Sequence, residues 1–184
     1  MPRLLRGLFY VFTVFWPVLI YAALTHGYLY PVLLISAAIL LVRLAAVSLS
    51  QNKSGIWPTL AGFLVIGLAL LLKQESLALL YPVVMNSTLL ATFGLSLTGK
   101  PVVQRFAEIA RKEEGPLPPQ AIVYTRNVTV IWTALFAFNT AVSALTVYIG
   151  DYEIWAFYNG FISYLLVGSL FFGEYLYRRK FLNV

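Results

Sequence analysis

The chain has 184 residues, 60% of them hydrophobic and only 11% charged, with a mean hydropathy of +0.82. A soluble domain of that size needs far more charge to cover its surface, so a water-soluble globule is excluded and one membrane-embedded helical unit is expected. The absence of cysteine excludes disulfides, thiolate nucleophiles, iron–sulfur clusters and cysteine zinc sites, and the net charge of +6 follows from positive-inside bias without invoking nucleic acid.

Apolar runs near twenty residues long recur along the chain, each matching the thickness of a hydrocarbon core. The first, about Leu8 to Leu24, follows Arg3 and Arg6. It is too long and too aromatic for a signal peptide, and Pro17 interrupts it, so a retained anchor is expected. His26, the single histidine, sits beside Gly27 in the next loop and reads as an interfacial residue rather than a ligand. The second run, about Tyr28 to Ser48, carries Arg43 near its far end, where a long side chain can snorkel to the interface. A turn over residues 50–55 leads to the third, about Ile56 to Leu72. The fourth runs from about Leu77 to Leu97, the fifth from about Val128 to Tyr148, and the sixth from about Ile154 to Tyr175. Trp57, Tyr148, Tyr152, Trp155, Tyr175 and Tyr177 fall near predicted ends, as expected of an aromatic belt. The expected fold is therefore all-α: a polytopic integral membrane protein of about six transmembrane helices in a single bundle.

Charge placement sets an expected topology. With the N-terminus inside, Arg3, Arg6, Arg43, Lys53, Lys100, Arg105, Arg111, Lys112, Arg126, Arg178, Arg179 and Lys180 are cytoplasmic, and of the 13 Lys and Arg only Lys73 is outside. Glu75, Asp151 and Glu153 occupy the outer loops. Both termini are then cytoplasmic, and a multi-pass protein of the bacterial inner (cytoplasmic) membrane fits the pattern. The sequons at Asn52, Asn86 and Asn127 fall in cytoplasmic or intramembrane positions and read as chance matches.

The sizeable polar segment is the cytoplasmic loop at about 98–127. Its first half, Lys100 to Glu114, reads as an amphipathic helix. Val102, Val103, Phe106, Ile109 and Ala110 recur at helical spacing between charged residues. The run Gly115, Pro116, Leu117, Pro118, Pro119 cannot continue that helix. Lys100, Arg105, Arg111 and Lys112 are candidates for contact with the anionic membrane surface or with a protein partner. A solvated connector packed on the bundle is the competing expectation.

Polar groups inside spans are costly and each calls for a reason. Asn86 and Asn139 lie near the centres of spans four and five, at depths where their amides can meet as an interhelical clamp or border a cavity. Tyr158 and Asn159 lie in the outer half of span six, and Glu174 near its inner end, four residues before Arg178 and on the same helix face. Asn86, Asn139, Tyr158, Asn159 and Glu174 are the candidate ligand-binding residues. Thr133, Ala137 and Ala141, and the series Gly160, Ser163, Gly168 and Gly173, are expected to let helices approach closely. No catalytic triad, phosphate-binding Gly loop or metal-ligand cluster is recognisable, so no catalytic residue, metal or cofactor is assigned.

The segment Lys100-Pro101-Val102-Val103-Gln104-Arg105 resembles a Lys-Pro-apolar-apolar-x-Arg signature that follows a span in the intracellular septation protein A family of bacterial inner-membrane proteins. Leu117 and Pro118 in the connector, Asn127, Trp132, Phe136 and Asn139 in span five, and the closing Tyr175-Leu176-Tyr177-Arg178-Arg179 extend the resemblance over about residues 80–180. A neighbouring branch of membrane proteins encoded with aryl-polyene or other fatty-acid-like pigment pathways is similar to the same degree. The resemblance implies a role in cell-envelope maintenance, with division and elongation proteins as partners and no established reaction. The expected function is a non-enzymatic scaffold or lipid-handling protein, with membrane lipids, envelope proteins or further copies of the chain as partners. The alternative is a small transporter or flippase for a lipid or a lipid-linked intermediate, a polyene one included.

Overall fold

The computed structural model of the protein describes residues 15–49, 56–111 and 115–179. The expected N-terminal part of the first span, the turn at 50–55, Lys112, Lys180 and the basic residues Arg3 and Arg6 lie outside the described residues.

The described residues form helices and connecting turns, with no strand among them. In chain order these are α1 (Phe15–Thr25), α2 (Leu29–Ser48), α3 (Ile56–Leu72), α4 (Glu75–Leu79), α5 (Tyr81–Ser96), α6 (Val102–Ala110), α7 (Pro119–Ile149), α8 (Tyr152–Phe157) and α9 (Ser163–Tyr177). A π turn, Tyr158–Ile162, joins α8 to α9 without a break in the rod. Four stretches are long and apolar enough to cross a membrane: Leu29–Ser48, Ser76–Ser96, Pro119–Ile149 and Tyr152–Tyr177. The described part of the expected first span, Phe15–Thr25, and the expected third span, Ile56–Leu72, are apolar but shorter.

The distribution of side chains is that of a membrane protein. Leu34, Ile35, Leu64 and Leu71 face outward, while Ser36, Thr59, Thr129, Asn139 and Ser143 are buried. A helix bonds all its own backbone groups, so an apolar exterior is stable in hydrocarbon, where packing and interhelical hydrogen bonds replace the hydrophobic effect. α3 lies between α2 and α5, and α5 packs along α7. One core cluster joins α1, α2, α3, α5 and α8 around Trp16, Leu33, Ile66 and Trp155. A second, smaller cluster centres on Val128, Trp132 and Phe136 of α7.

Several expectations change in physical terms. The polar loop ends at Pro118 rather than Asn127, because α7 begins at Pro119 and runs 31 residues. Proline at the first helical position loses no bond, since that N–H has no partner in any helix. Span four starts as a short helix, α4, that bends at Leu80 into α5, where Pro82 occupies the first turn. Trp155 is no belt residue: it is fully buried, and its indole Nε1 donates to the Leu79 carbonyl at 3.0 Å. Trp57 and Tyr148 are exposed, at 71% and 88%, where a belt residue would be.

The small-residue stripes also divide. Thr133 approaches Gly94 of α5, but Ala137 and Ala141 face outward. Gly160 is pressed on α1, since a Cβ there would meet Val18 Cγ2 at 3.3 Å, whereas Gly168 and Gly173 have open space around them. The tight approach missing from those stripes occurs at Gly62 of α3, where a Cβ would lie 3.0 Å from the Tyr81 ring.

Candidate functional site

Val128 is buried on α7, and the row beside it reads Thr125, Thr129, Trp132, Phe136, Asn139, Ser143 and Thr146. These residues recur at alternating steps of four and three, the seam that one helix turns toward its neighbours. Aromatic side chains hold the middle of the seam and polar ones its two ends. The polar residues bond locally where they can: the Thr125 and Thr129 hydroxyls donate to the Ile122 and Thr125 carbonyls at 2.9 and 2.8 Å.

Toward the C-terminal end of α7 the seam meets the π turn. The Tyr158 hydroxyl donates to Asn139 Oδ1 at 2.7 Å. The Ser143 hydroxyl donates to Asn159 Oδ1 at 2.7 Å. Asn159 Nδ2 in turn donates to Thr146 Oγ1 at 3.2 Å and to the Trp155 carbonyl at 2.9 Å. Asn139, Ser143, Thr146, Tyr158 and Asn159 are all buried, so this is a buried polar network that fixes the register of α8 and the π turn against α7. Asn139 Nδ2 is buried without a hydrogen-bond partner. π turns concentrate at functional sites because they redirect side chains within a continuous rod.

Beside the network lies a cavity of about 480 Å³, within the range typical of small-molecule sites. Its walls are Pro82, Met85, Asn86, Leu89 and Phe93 on α5; Val128, Trp132 and Phe136 on α7; Ser163, Tyr164, Val167, Phe171 and Glu174 on α9. Trp16 and Pro17 of α1, Tyr81, and Asn159 of the π turn close one end, and Val103 and Phe106 of α6 border the cavity as well. Each helix contributes one face, its lining residues recurring at steps of three and four, with Met85–Asn86 and Ser163–Tyr164 as adjacent pairs on it. The aromatic lining is mutually packed: Trp132 meets Phe171 edge-on with ring centres 4.5 Å apart, Phe93 meets Phe136 at 5.1 Å, and Trp16 meets Tyr81 at 4.7 Å. α9 buries no residue completely, and Phe171 is 58% exposed while lining the cavity, so the space opens sideways past α9.

The structure distributes the five candidate residues over two neighbouring places. Asn86, Asn159 and Glu174 line the cavity. Asn139 and Tyr158 pair with each other in the adjoining network. Asn86 donates to the Pro82 carbonyl of its own helix at 2.9 Å, and among the described residues no hydrogen bond joins it to Asn139. Glu174 accepts from Arg178 through both oxygens, at 2.9 and 3.3 Å, and the Tyr124 hydroxyl donates to it at 3.3 Å. Tyr124 also stacks on Tyr177, with ring centres 5.7 Å apart and planes 4° from parallel, so the early part of α7 is tied to the last turn of α9. Residue reading missed Tyr81, Tyr164, Ser163 as a lining residue, and Tyr124. The four-three alternation on α7 was the available signal for the seam.

Of the four basic loop candidates, Lys100 donates to Glu108 Oε2 at 2.7 Å, and Arg105 Nε donates to the Lys100 carbonyl at 3.0 Å. Arg111 follows the last residue of α6, and Lys112 lies outside the described residues. α6 is strongly amphipathic. Val102 is buried, while Phe106 and Ile109 are 63% and 69% exposed. The Ser96 hydroxyl accepts the Val102 N–H at 3.1 Å, linking the end of α5 to the start of α6. The lowered pKa of Glu108 comes first from its hydrogen bond with Lys100 and then from that with Gln104. Among the described residues no group of three or more His, Asp or Glu is placed to hold a metal ion. No protein-family model, no curated protein and no solved structure matches this chain.

Proposed function

We propose that this chain is a multi-pass protein of the bacterial inner membrane that handles lipids, holding an apolar chain in the cavity between α5, α7 and α9. The carrying observation is the cavity itself, an aromatic and aliphatic chamber open sideways past α9. In a bilayer, the material beside α9 is lipid, and an acyl or isoprenoid chain enters such a space without desolvation. About six spans with α6 and both termini on the cytoplasmic side place Phe106 and Ile109 at the headgroup layer, where an amphipathic helix rests. A role in envelope maintenance is proposed on the resemblance of residues 80–180 to the septation protein A family. Transport of the held lipid is the natural extension, because the cavity reaches from the Glu174 end to the π turn. A pure scaffold acting through basic residues has less support, since Lys100 and Arg105 are engaged within α6 and its N-terminal turn.

Native mass spectrometry of the protein released from mild detergent tests this. The wild type retains a chain-bearing lipid. Val167→Trp, which fills the chamber, lowers retention roughly tenfold, equivalent to about 1.4 kcal/mol. Val130→Trp, on the outward face of α7, leaves retention unchanged. Equal retention by all three proteins contradicts the reading.

A further inference from the structure

The chemistry of the cavity wall changes along its length. Glu174 marks one end and Ser163 the other, eleven residues away on α9, or about 17 Å at the helical rise. Between them the lining is apolar, dominated by Trp132, Phe136, Val167 and Phe171. At the Glu174 end the carboxylate is already held by Arg178 and Tyr124.

The Ser163 end is different. Tyr81, Asn86 and Ser163 bring a phenol, an amide and a hydroxyl to the wall, and no Lys, Arg, Asp or Glu lines that end. Asn86 spends an N–H on Pro82, leaving its carbonyl oxygen as an acceptor. Asn159 also borders the space, but its amide is bonded to Ser143, Thr146 and Trp155 and serves to hold the π turn.

Interruptions of regular helix converge at the same end. α4 bends into α5 at Leu80, next to Tyr81 and Pro82. The π turn immediately precedes Ser163. Pro17 of α1 packs against that turn at Gly160. In membrane proteins such interrupted segments, placed near the bilayer midplane, surround bound substrate. With Glu174 near the interface, a point about 17 Å further in lies close to the middle of a core about 30 Å thick.

We infer that this end holds the uncharged, hydrogen-bonding terminus of a chain amphiphile (a hydroxyl, primary amide or ester carbonyl), with the apolar chain running past Trp132 and Phe136 toward Glu174. The inference rests on the lipid-handling reading and adds the ligand's polarity and direction. A charged terminus is disfavoured there, because burial would strip its hydration and no charged residue lines that end; Arg43 lies within electrostatic reach of Tyr81 without lining the cavity. A plain hydrocarbon terminus makes no use of the amide and hydroxyls that Asn86, Ser163 and Tyr81 bring to the wall.

The test uses the full-length protein in liposomes and three photoreactive probes of equal chain length. Each carries a diazirine beside its terminus, which is an alcohol, a carboxylate or a methyl group. The alcohol probe is expected to label α5 and α9 near Asn86 and Ser163 at least about fivefold more than either of the others. Ser163→Ala, and Asn86→Leu combined with it, should erase that preference while total labelling of the cavity persists. Equal labelling by the three probes in the cavity, or alcohol labelling centred on Phe106 and Glu174, overturns the inference and leaves the lipid-handling reading standing. Failure of every probe to label the cavity overturns both.

Discussion

Asp151 is the helix cap at the turn between α7 and α8. Its carboxylate accepts the N–H groups of Glu153 and Ile154 at 2.8 and 3.0 Å, directly after Gly150 has ended α7 with a φ of 75°. Only a residue without Cβ enters that left-handed conformation freely, and the carboxylate then satisfies donors that α8 leaves open. Asp151→Ala should therefore lower stability by about 1 kcal/mol, read as an earlier unfolding midpoint in detergent. An unchanged midpoint would show that water satisfies the cap equally well. At this scale the sequence was legible where spacing alone decides the outcome. Glu174 and Arg178, four apart, form the ion pair their spacing predicts. The partners of Asn86 and Asn139 were not legible. Depth along a helix follows from residue number, but rotation about its axis follows from packing, and the two amides turn to different neighbours.

Elements show the same division. α6 is predictable from its apolar spacing, but a clasp across it is not: Lys100, before the helix, reaches Glu108 in its last turn. Glu108 has a lowered pKa in the folded protein, so the clasp's contribution is complete above the ordinary glutamate value of 4.5 and is lost as pH falls through the lowered one. A spin label at Ile109→Cys, in a chain without native cysteine, should gain mobility only below that range. Mobility that rises already between pH 7 and 5 would assign the order of α6 to something else. Tight packing gives a second test. Gly62→Ala places a Cβ 3.0 Å from the Tyr81 ring, which is buried and packed at a tilt against Trp16. Such overpacking costs typically 1–3 kcal/mol, roughly a 5- to 150-fold change in the unfolding equilibrium, measurable by denaturant titration in micelles. The α7 boundary was misplaced by sequence reading for an identifiable reason: apolarity reports the part in the membrane, whereas Pro119 and the residues after it form a polar first portion of the same helix.

For the molecule as a whole, composition alone establishes an apolar, helical membrane protein. The four long spans and the exposed Leu and Ile side chains agree with it. The cavity is a property of the arrangement. Its aromatic residues look like ordinary core in the sequence, and nothing in their spacing indicates that α9 stands away from α5 and α7. The departures from regular helix, at Leu80 and at Tyr158–Ile162, are equally a consequence of packing, although Pro82 hints at the first. A filled chamber and an empty one differ by a single side chain at Val167, which links the geometry to the physiology. Quantitative lipid analysis of membranes is the most direct measurement, comparing cells that lack the chain with the same cells restored with the wild type or with Val167→Trp. The account predicts that one chain-bearing lipid or intermediate accumulates without the protein, returns to its normal level with the wild type, and stays elevated with Val167→Trp. Identical lipid profiles in all three would contradict it.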